Sequence, residues 1–188
     1  MSTRWLGVSA QKCPLDLWVY QEILFDVKPD LIIETGTYGG GSTLFLASIC
    51  DLLGAGQVIS IDIEPREDRP SHGRITYLTG SSTAPDIVQT VTEAAENARS
   101  VVVILDSDHS EDHVYAEMKI YSRFVNVGSY LIVEDTNVGG NPILPDHGPG
   151  PKEAAERFLT EYQNFQLDPE KEKFFMTFNP SGYLRRIR

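Results

Sequence analysis

Short apolar runs alternate along most of the chain with segments whose apolar residues recur at helical spacing. The runs predict strands, which cover residues 31–34, 58–62, 75–79, 101–106 and 130–134. The helical segments cover residues 14–25, 42–53, 84–98 and 111–124, and a last one begins at Pro151. Strands that alternate with helices in this order favour a parallel sheet with helices on both faces. The predicted fold class is therefore α/β and doubly wound.

The segments outside this alternation give further expectations. Residues 5–14 look irregular, and Trp18 of the first helix is expected in the core. Residues 136–151 carry four prolines and four glycines and directly follow two acids. A loop of this length in a compact domain is usually functional or disordered, and because it begins directly after two acids we predict a lid over the site. Residues 165–167 and 174–178 predict a closing hairpin, and the basic end of the chain is expected to be solvated.

The length and the charge of the chain narrow its class. Its 188 residues predict a single domain, residues 1–188, in which residues 1–29 form an N-terminal segment and a covering helix. A net charge of −11 opposes phosphate backbones and anionic lipids, which argues against nucleic acid as a partner. No apolar run is long enough to span a bilayer or to act as a signal peptide, so we expect a cytoplasmic protein. Cys13 and Cys50 are predicted to be free thiols.

A glycine-rich turn follows the first strand. Glu34 ends that strand, and Gly36, Gly39, Gly40 and Gly41 come directly after it. This spacing matches neither the dinucleotide fingerprint nor the P-loop, and a carboxylate at this point would repel a pyrophosphate. The turn instead resembles the first motif of the S-adenosylmethionine (SAM) dependent methyltransferases, in which the acid faces the methionine amino group. A turn without any ligand is the alternative interpretation.

Two further strand ends carry residues suited to a nucleoside. Asp62 ends the second strand, where an acid of a nucleoside-binding α/β fold accepts hydrogen bonds from ribose hydroxyls. Ser81 and Ser82 follow the third strand. They either hydrogen-bond an adenine or cap the next helix, and the sequence leaves both alternatives open.

Acids end four of the predicted parallel strands. Because the carboxyl ends of such strands share one edge of the sheet, we expect these acids on one rim. They are Glu34, Asp62, Asp106, Asp108, Glu134 and Asp135. So many negative charges repel one another unless a cation lies among them, and carboxylate oxygens suit Mg²⁺, Ca²⁺ or Mn²⁺. The predicted metal ligands are Asp106, Glu134 and Asp135, with Asp108 as a substitute.

His109 stands three residues after Asp106, at the mouth of the same expected site. An imidazole with an unperturbed pKa of about 6.5 accepts a hydroxyl proton near neutrality, and a metal ion makes a bound hydroxyl more acidic. This combination follows the chemistry of methyl transfer to oxygen, with His109 as the general base. The alternative is a structural histidine at the start of a helix.

Several segments together carry a resemblance to a known family. They are Trp18-Val-Tyr-Gln-Glu, Ile33-Glu-Thr-Gly-Thr, Leu105-Asp-Ser-Asp-His-Ser, Leu131-Ile-Val-Glu-Asp-Thr and Gly148-Pro-Gly-Pro. On these segments the chain resembles the cephalosporin hydroxylase / rhamnosyl O-methyltransferase family over nearly its whole length. The resemblance implies a Rossmann-like class I methyltransferase sheet in the strand order 3-2-1-4-5-7-6, with strand seven antiparallel, that binds SAM and often Mg²⁺.

The resemblance also bears on individual residues. It implies the metal ligands Asp106, Glu134 and Asp135 and the base His109, so that Asp106 and His109 are the predicted catalytic pair. The predicted cofactor-binding residues are Glu34, Gly36, Thr37, Gly40, Ser42, Asp62, Ser81, Ser82 and Asp108. Hydroxylation is not carried over, because the sequence offers no triad of two histidines and one carboxylate for non-haem iron.

We therefore expect a SAM-dependent, Mg²⁺-assisted O-methyltransferase that acts on a hydroxyl of a small acceptor, such as the sugar of a glycolipid or a secondary metabolite. Its expected partners are this small molecule and further copies of the chain in a homo-oligomer. Two other classes stay open at this point. A metal-dependent hydrolase would use the acidic rim without needing Glu34, the glycine turn or Asp62, and a SAM-binding module would lack catalysis.

Overall fold

The computed structural model of the protein describes residues 3–188. The strands in these residues are β1 (Arg4–Trp5), β2 (Val8–Ser9), β3 (Leu31–Thr35), β4 (Gln57–Asp62), β5 (Ile75–Thr79), β6 (Val101–Leu105), β7 (Tyr130–Val133), β8 (Phe165–Leu167) and β9 (Tyr183–Arg186). The α-helices are α1 (Pro14–Val27), α2 (Gly41–Leu53), α3 (Pro85–Ala95), α4 (Glu111–Tyr121) and α5 (Pro151–Glu161). Short 3₁₀ segments lie at Ser122–Phe124, Pro145–His147 and Pro169–Glu172.

Seven of the strands form one sheet in the order β5-β4-β3-β6-β7-β9-β8, and β1 pairs with β2 in a separate hairpin. Strands β3 to β7 run parallel to one another, whereas β9 is antiparallel to both β7 and β8. Counted from β3, this is the order 3-2-1-4-5-7-6 with an antiparallel seventh strand. The predicted α/β class and strand order are confirmed.

The sheet is covered on both faces, which is why its central strands read as unbroken apolar runs. Side chains alternate along β3, so Ile33 lies in the core layer beneath α3, α4 and α5, and Ile32 lies in the layer beneath α1 and α2. Every residue of β6 is buried. Polar chemistry is therefore confined to the strand ends and to the connections that follow them.

The predicted helices are confirmed within a few residues at each end. Pro14 lies in the first turn of α1, and Gly54, with φ 72°, ends α2 in the left-handed region. The N-cap of α2 is Gly40, two residues before the predicted start of this helix. Among residues 3–188 no helix combines the length and the apolar character needed to cross a membrane.

The N-terminal part of the chain differs from the prediction. The residues expected to be irregular contain the β1–β2 hairpin, and Trp5 ties this hairpin to α2. Its ring packs edge-on against Phe45 with centroids 4.9 Å apart, and its Nε1 donates to Ser48 Oγ at 3.1 Å. Trp18, expected in the core, is 58% exposed and donates to Glu22 Oε1. The prediction for Trp18 was wrong because α1 carries apolar residues around most of its circumference, so their spacing does not show which side faces the core.

The closing hairpin also uses other residues than predicted. β8 lies where it was expected, but residues 174–178 form no strand, and β9 inserts between β7 and β8 instead. Tyr183 and Leu184 supply the buried side chains that this inner position requires. Of the basic end of the chain, Arg185 and Arg188 are exposed as expected, whereas Arg186 lies in β9 and its Nη1 donates to Val125 O at 2.6 Å.

The loop of residues 136–150, predicted as a lid, connects β7 to α5. It is held at its base by Asn141, whose Nδ2 donates to Glu153 Oε1 and whose Oδ1 accepts from Lys152 Nζ, both at 3.1 Å. None of its residues lines the cavity described below. The closing movement expected of a lid stays a prediction.

Candidate active site

A cavity of about 560 Å³ opens at the carboxyl ends of the parallel strands. This volume suits a small organic ligand. The predicted site residues that line it are Gly36, Thr37, Ser42, Asp62, Ser81, Ser82, Asp106, Asp108, His109 and Asp135. Glu34, Gly40 and Glu134 were also predicted in the site but do not line the cavity. The expected convergence of strand ends is therefore observed, and these three residues lie outside the cavity lining.

The glycines of the first turn make room for neighbouring backbone. A Cβ on Gly36, which has φ +83°, would lie 1.7 Å from the carbonyl oxygen of Asp106, and one on Gly41 would lie 2.2 Å from Ser9 O. Only glycine allows both approaches. The turn is thus shaped by the end of β6 on one side and by the N-terminal segment on the other, in addition to any ligand.

Glu34 lies beneath the turn and is completely buried. Its carboxylate accepts hydrogen bonds from Ser42 Oγ at 2.6 Å, from Ser60 Oγ at 2.7 Å and from Thr43 Oγ1. Burial raises its pKa, while Lys12 and these three hydroxyls oppose that shift. Because its oxygens face hydroxyls inside the protein, Glu34 supports the turn from below, and its contact with a methionine amino group stays a prediction.

Gly40 has a structural role as well. It has φ +79° at the start of α2, and a Cβ placed there would come within 2.8 Å of Pro70 Cδ. Gly40 therefore shapes the beginning of the helix and fits under the connection after β4, instead of lining the cavity.

Asp62 is held at the cavity by two backbone donors and by an ion pair with Arg69. It accepts from Tyr38 N at 2.7 Å and from Glu64 N at 2.9 Å, and Arg69 Nη2 lies 3.1 Å from its Oδ2. The arginine also donates from Nε to Tyr38 O at 2.9 Å. The carboxylate is thus fixed in place beside the glycine turn, which suits a group that receives ribose hydroxyls.

Asp106, His109 and Asp135 form a compact cluster on the opposite wall. One ligand atom from each lies within 4.8 Å of those from the other two. His109 Nε2 is 3.4 Å from Asp106 Oδ1 and 3.5 Å from Asp135 Oδ2. Burial alone would lower the pKa of His109, but its contact with Asp106 raises it overall. Burial together with the charge of Asp106 raises the pKa of Asp135.

Lys12 lies among these acids and was not predicted as a site residue. Its side chain is buried, and its Nζ contacts Asp106 Oδ2 and lies 2.5 Å from Glu134 Oε1. Burial would lower its pKa, but Asp106, Glu134 and Glu34 raise it overall, so the group is a stable cation. Burial also raises the pKa of Asp106, but Lys12 and His109 lower it overall. The sequence analysis assigned the positive charge among these acids to a divalent ion, and Lys12 supplies part of that charge.

The far end of the cavity carries a polar group that the sequence analysis also missed. His113 Nε2 lies 3.3 Å from Ser82 Oγ and 3.5 Å from Glu117 Oε1, which in turn accepts from Ser107 Oγ at 2.7 Å. The N-cap of α3 is Ala84, without a side-chain cap, so the capping alternative for the two serines is not observed. The i, i+4 spacing of His113 and Glu117 on α4 was the available signal.

Asp108 is exposed at the cavity rim, where its Oδ1 accepts from Ser110 N at 2.8 Å just before α4. The hydrogen bond from Ser110 holds the pKa of Asp108 below its usual value. It lies outside the cluster formed by Asp106, His109 and Asp135.

Three features define a class I, SAM-dependent methyltransferase. They are the order of the strands, the acid Asp62 at the end of β4, which suits ribose hydroxyls, and the cluster of Asp106, His109 and Asp135. The family model described as Rhamnosyl O-methyltransferase/CmcI matches residues 1–187. The chain belongs to this family.

Named relatives and solved structures agree with this assignment. The rhamnosyl O-methyltransferases of Mycobacterium tuberculosis and Mycobacterium leprae are each 39% identical to the chain over 98% of its length, which covers 78% and 83% of their own lengths. A CmcI apo-structure superposes with a TM-score of 0.75 at 24% identity, over 99% of this chain and 76% of that one. MycE from the mycinamycin pathway, in complex with Mg, SAH and mycinamycin VI, gives 0.68 at 16% identity, over 96% and 56% of the two chains.

Proposed function

We propose that the protein transfers the methyl group of SAM to a hydroxyl of a sugar, and that Asp106 and Asp135 hold a divalent ion beside the reacting oxygen. The observation that carries this proposal is the single cavity that joins the turn at Gly36 and Asp62 to the cluster around His109. The names of the mycobacterial relatives support a sugar as the acceptor.

The nucleoside part of SAM would lie between the glycine turn and the serines after β5. Asp62 would accept hydrogen bonds from the ribose hydroxyls, and the Ser82 hydroxyl with His113 offers polar groups for the edge of an adenine. Bound in this way, SAM supplies an electrophilic methyl group on its sulfonium sulfur. The main contribution of the protein would be to hold the methyl donor and the acceptor hydroxyl in line, which removes much of the entropic barrier.

The donor set of the cluster fits a hard divalent cation. The carboxylates of Asp106 and Asp135 lie close enough to hold one ion, with the His109 imidazole beside them, and carboxylate oxygens suit Mg²⁺ or Mn²⁺. A bound ion would lower the pKa of an acceptor hydroxyl that it contacts. Asp106 and Asp135 face the cavity and are the proposed ligands. Glu134, the third ligand predicted from the sequence, lies 2.5 Å from Lys12 Nζ through its Oε1 and stays a predicted ligand.

His109 is the proposed general base. Its ring is partly exposed at the cavity and its Nε2 lies between Asp106 and Asp135. The proton of the acceptor hydroxyl would pass to this imidazole while the oxygen–carbon bond forms and the sulfur–carbon bond breaks. The two carboxylates would stabilise the imidazolium that results, and SAH and the methyl ether would be the products.

The proposal is tested by methyl transfer from labelled SAM to rhamnosides, other sugars and phenols. We expect transfer to a sugar hydroxyl, loss of transfer under chelation and recovery with Mg²⁺. His109→Ala should keep SAM affinity, measured by calorimetry, and lower turnover by about 10²-fold or more, since general bases contribute that much.

His72→Ala is the matched control, because His72 contacts Asp51 outside the cavity. Full activity under chelation would remove the ion from the mechanism. Unchanged turnover in His109→Ala would exclude His109 as the general base. Methyl transfer to phenols alone would contradict the proposal that the acceptor is a sugar.

A further inference from the structure

Arg69 belongs to the connection between β4 and β5 and contacts both walls of the proposed ribose site. Its Nε donates to Tyr38 O at 2.9 Å, and its Nη2 lies 3.1 Å from Asp62 Oδ2. The guanidinium also lies over the ring of Tyr77, 5.7 Å from the centroid. The side chain is only 4% exposed. One buried cation thus joins the turn after β3 to the acid at the end of β4.

The Nη2 group of Arg69 is a buried donor whose hydrogen-bonding capacity is unused. It is close to Asp62 Oδ2, but among residues 3–188 no acceptor is aligned with it for a hydrogen bond. Buried polar groups without a partner are rare in folded proteins, so this one calls for an explanation. Arg69 therefore attracts Asp62 through its charge and leaves acceptor positions of the carboxylate free for other partners.

Asp62 keeps acceptor capacity on both of its carboxylate oxygens. Tyr38 N donates to Oδ2 at 2.7 Å, and Glu64 N donates to Oδ1 at 2.9 Å. A carboxylate offers about four lone-pair positions, so each oxygen keeps a free position after these two bonds. Tyr38 has φ 46°, a left-handed conformation that is unfavourable for a residue with a side chain. Arg69 and Asp62 hold it there, through its O and its N.

We infer that Arg69 is a positioning residue for the cofactor, which orients Asp62 toward the ribose hydroxyls both directly and through the backbone of Tyr38. The inference rests on the proposed function, in which Asp62 accepts those hydroxyls. Without the guanidinium, Asp62 would keep only its two backbone donors, and Tyr38 O would lose its donor. Hydrogen bonds weaken steeply when their angle is poor. The loss should therefore be specific to ligands that carry ribose hydroxyls.

The first test is a calorimetric titration of SAH, and of an SAH analogue without the two ribose hydroxyls, into the wild type and Arg69→Met. The wild type should bind SAH about 10-fold or more tightly than the analogue, because the analogue makes no hydrogen bond to the carboxylate. Arg69→Met should bind SAH about 10-fold more weakly than the wild type does, and its preference for SAH over the analogue should fall to about threefold or less. A merely structural role would weaken both ligands equally.

Arg74→Met is the matched control. Arg74 lies in the same connection, but it pairs with Asp51 and donates to Gly56 O, and none of these residues lines the cavity. This variant should match the wild type in its affinity for both ligands. Arg69→Lys keeps the charge and loses the planar fork, so it should recover part of the affinity and of the preference for SAH.

A double-mutant cycle covers the case in which Arg69→Met does not fold. Asp62→Asn combined with Arg69→Met removes both charges of the pair, so neither stays buried without a partner. This double variant should bind SAH within about threefold of Asp62→Asn alone, because Arg69 acts through the carboxylate. A further loss of about 10-fold would show that Arg69 acts independently of Asp62 and would overturn the inference.

Equal SAH affinity in the wild type and Arg69→Met also overturns the inference, as does an equal loss of affinity for the two ligands. In both cases SAM-dependent methyl transfer by the wild type would still stand. A wild type that binds no SAH contradicts the proposed function, and the inference then fails with it. The two failures are therefore distinguishable from the wild-type titration alone.

Discussion

Replacing Glu34 by Gln tests whether this acid supports the fold or contacts the cofactor. The carboxylate is completely buried and is shared by hydroxyls from two elements, Ser42 and Thr43 of α2 and Ser60 of β4. Gln keeps the shape of the side chain but offers one carbonyl oxygen and one amide nitrogen. At least one hydroxyl must therefore lose its acceptor or reverse its direction.

The expected cost follows from these bonds. A hydrogen bond to a charged group contributes about 1.5–3 kcal/mol, and a buried polar group left without a partner costs about 1–3 kcal/mol. Because burial raises the pKa of Glu34, we count each bond at the lower end. The free energy of unfolding should fall by about 2–4 kcal/mol, which for a domain of this size lowers Tm by about 5–15 °C.

Thermal unfolding followed by circular dichroism measures this change, with Glu156→Gln on the exposed face of α5 as the control. SAM affinity is measured by calorimetry well below the unfolding transition and should change by less than about threefold in the folded variant. An unchanged Tm together with SAM binding weakened about 10-fold would refute the reasoning, because Glu34 would then contact the ligand.

Three further predictions concern the cavity walls. Gly36→Ala should abolish stable folding, because its Cβ would lie 1.7 Å from a backbone carbonyl oxygen, whereas Gly73→Ala, which has open space around it, should melt like the wild type. Glu117→Gln should shift the pKa of His113 back toward 6.5 in an NMR titration, since the hydrogen bond to Glu117 raises it. In the wild type this pair should stabilise the fold below pH 6.5 and lose its effect as pH rises through the raised pKa. Asp62→Ala should weaken SAM binding in calorimetry by about 10-fold. It should also lower Tm, because it leaves the buried Arg69 without this carboxylate.

The parallel part of the sheet could be predicted from the sequence because most of its strands are short apolar runs that end at an acid. A run such as Val101–Leu105 has no polar position to confuse the pattern, and the acid after it marks the strand end. Knowing that parallel strands end at one edge was sufficient to bring Asp62, Asp106 and Asp135 into one cavity. Whether a side chain at a strand end points into the cavity or into the protein could not be predicted from the sequence. Glu34 lies on a strand whose two faces are both covered, so its position at the tip did not expose it.

Lys12 was not predictable because no periodicity surrounds it. It lies in a segment without helical or strand spacing, and its partners are 94 and 122 residues away along the chain. The need for a positive charge among the acids was recognised, but spacing alone could not tell an ammonium from an ion. The strand at 174–178 failed for a related reason. Apolar and polar residues do alternate in residues 174–178, but the strand between β7 and β8 must bury its side chains, and Tyr183 and Leu184 of β9 do so.

The separation between Lys12 and its partners has a consequence for biosynthesis. The lysine is translated first, and Glu134 follows 122 residues later. At usual elongation rates this interval is on the order of 5–25 s. The nascent polypeptide therefore completes the charge pairing of this acidic cluster only after the whole parallel part of the sheet has been translated.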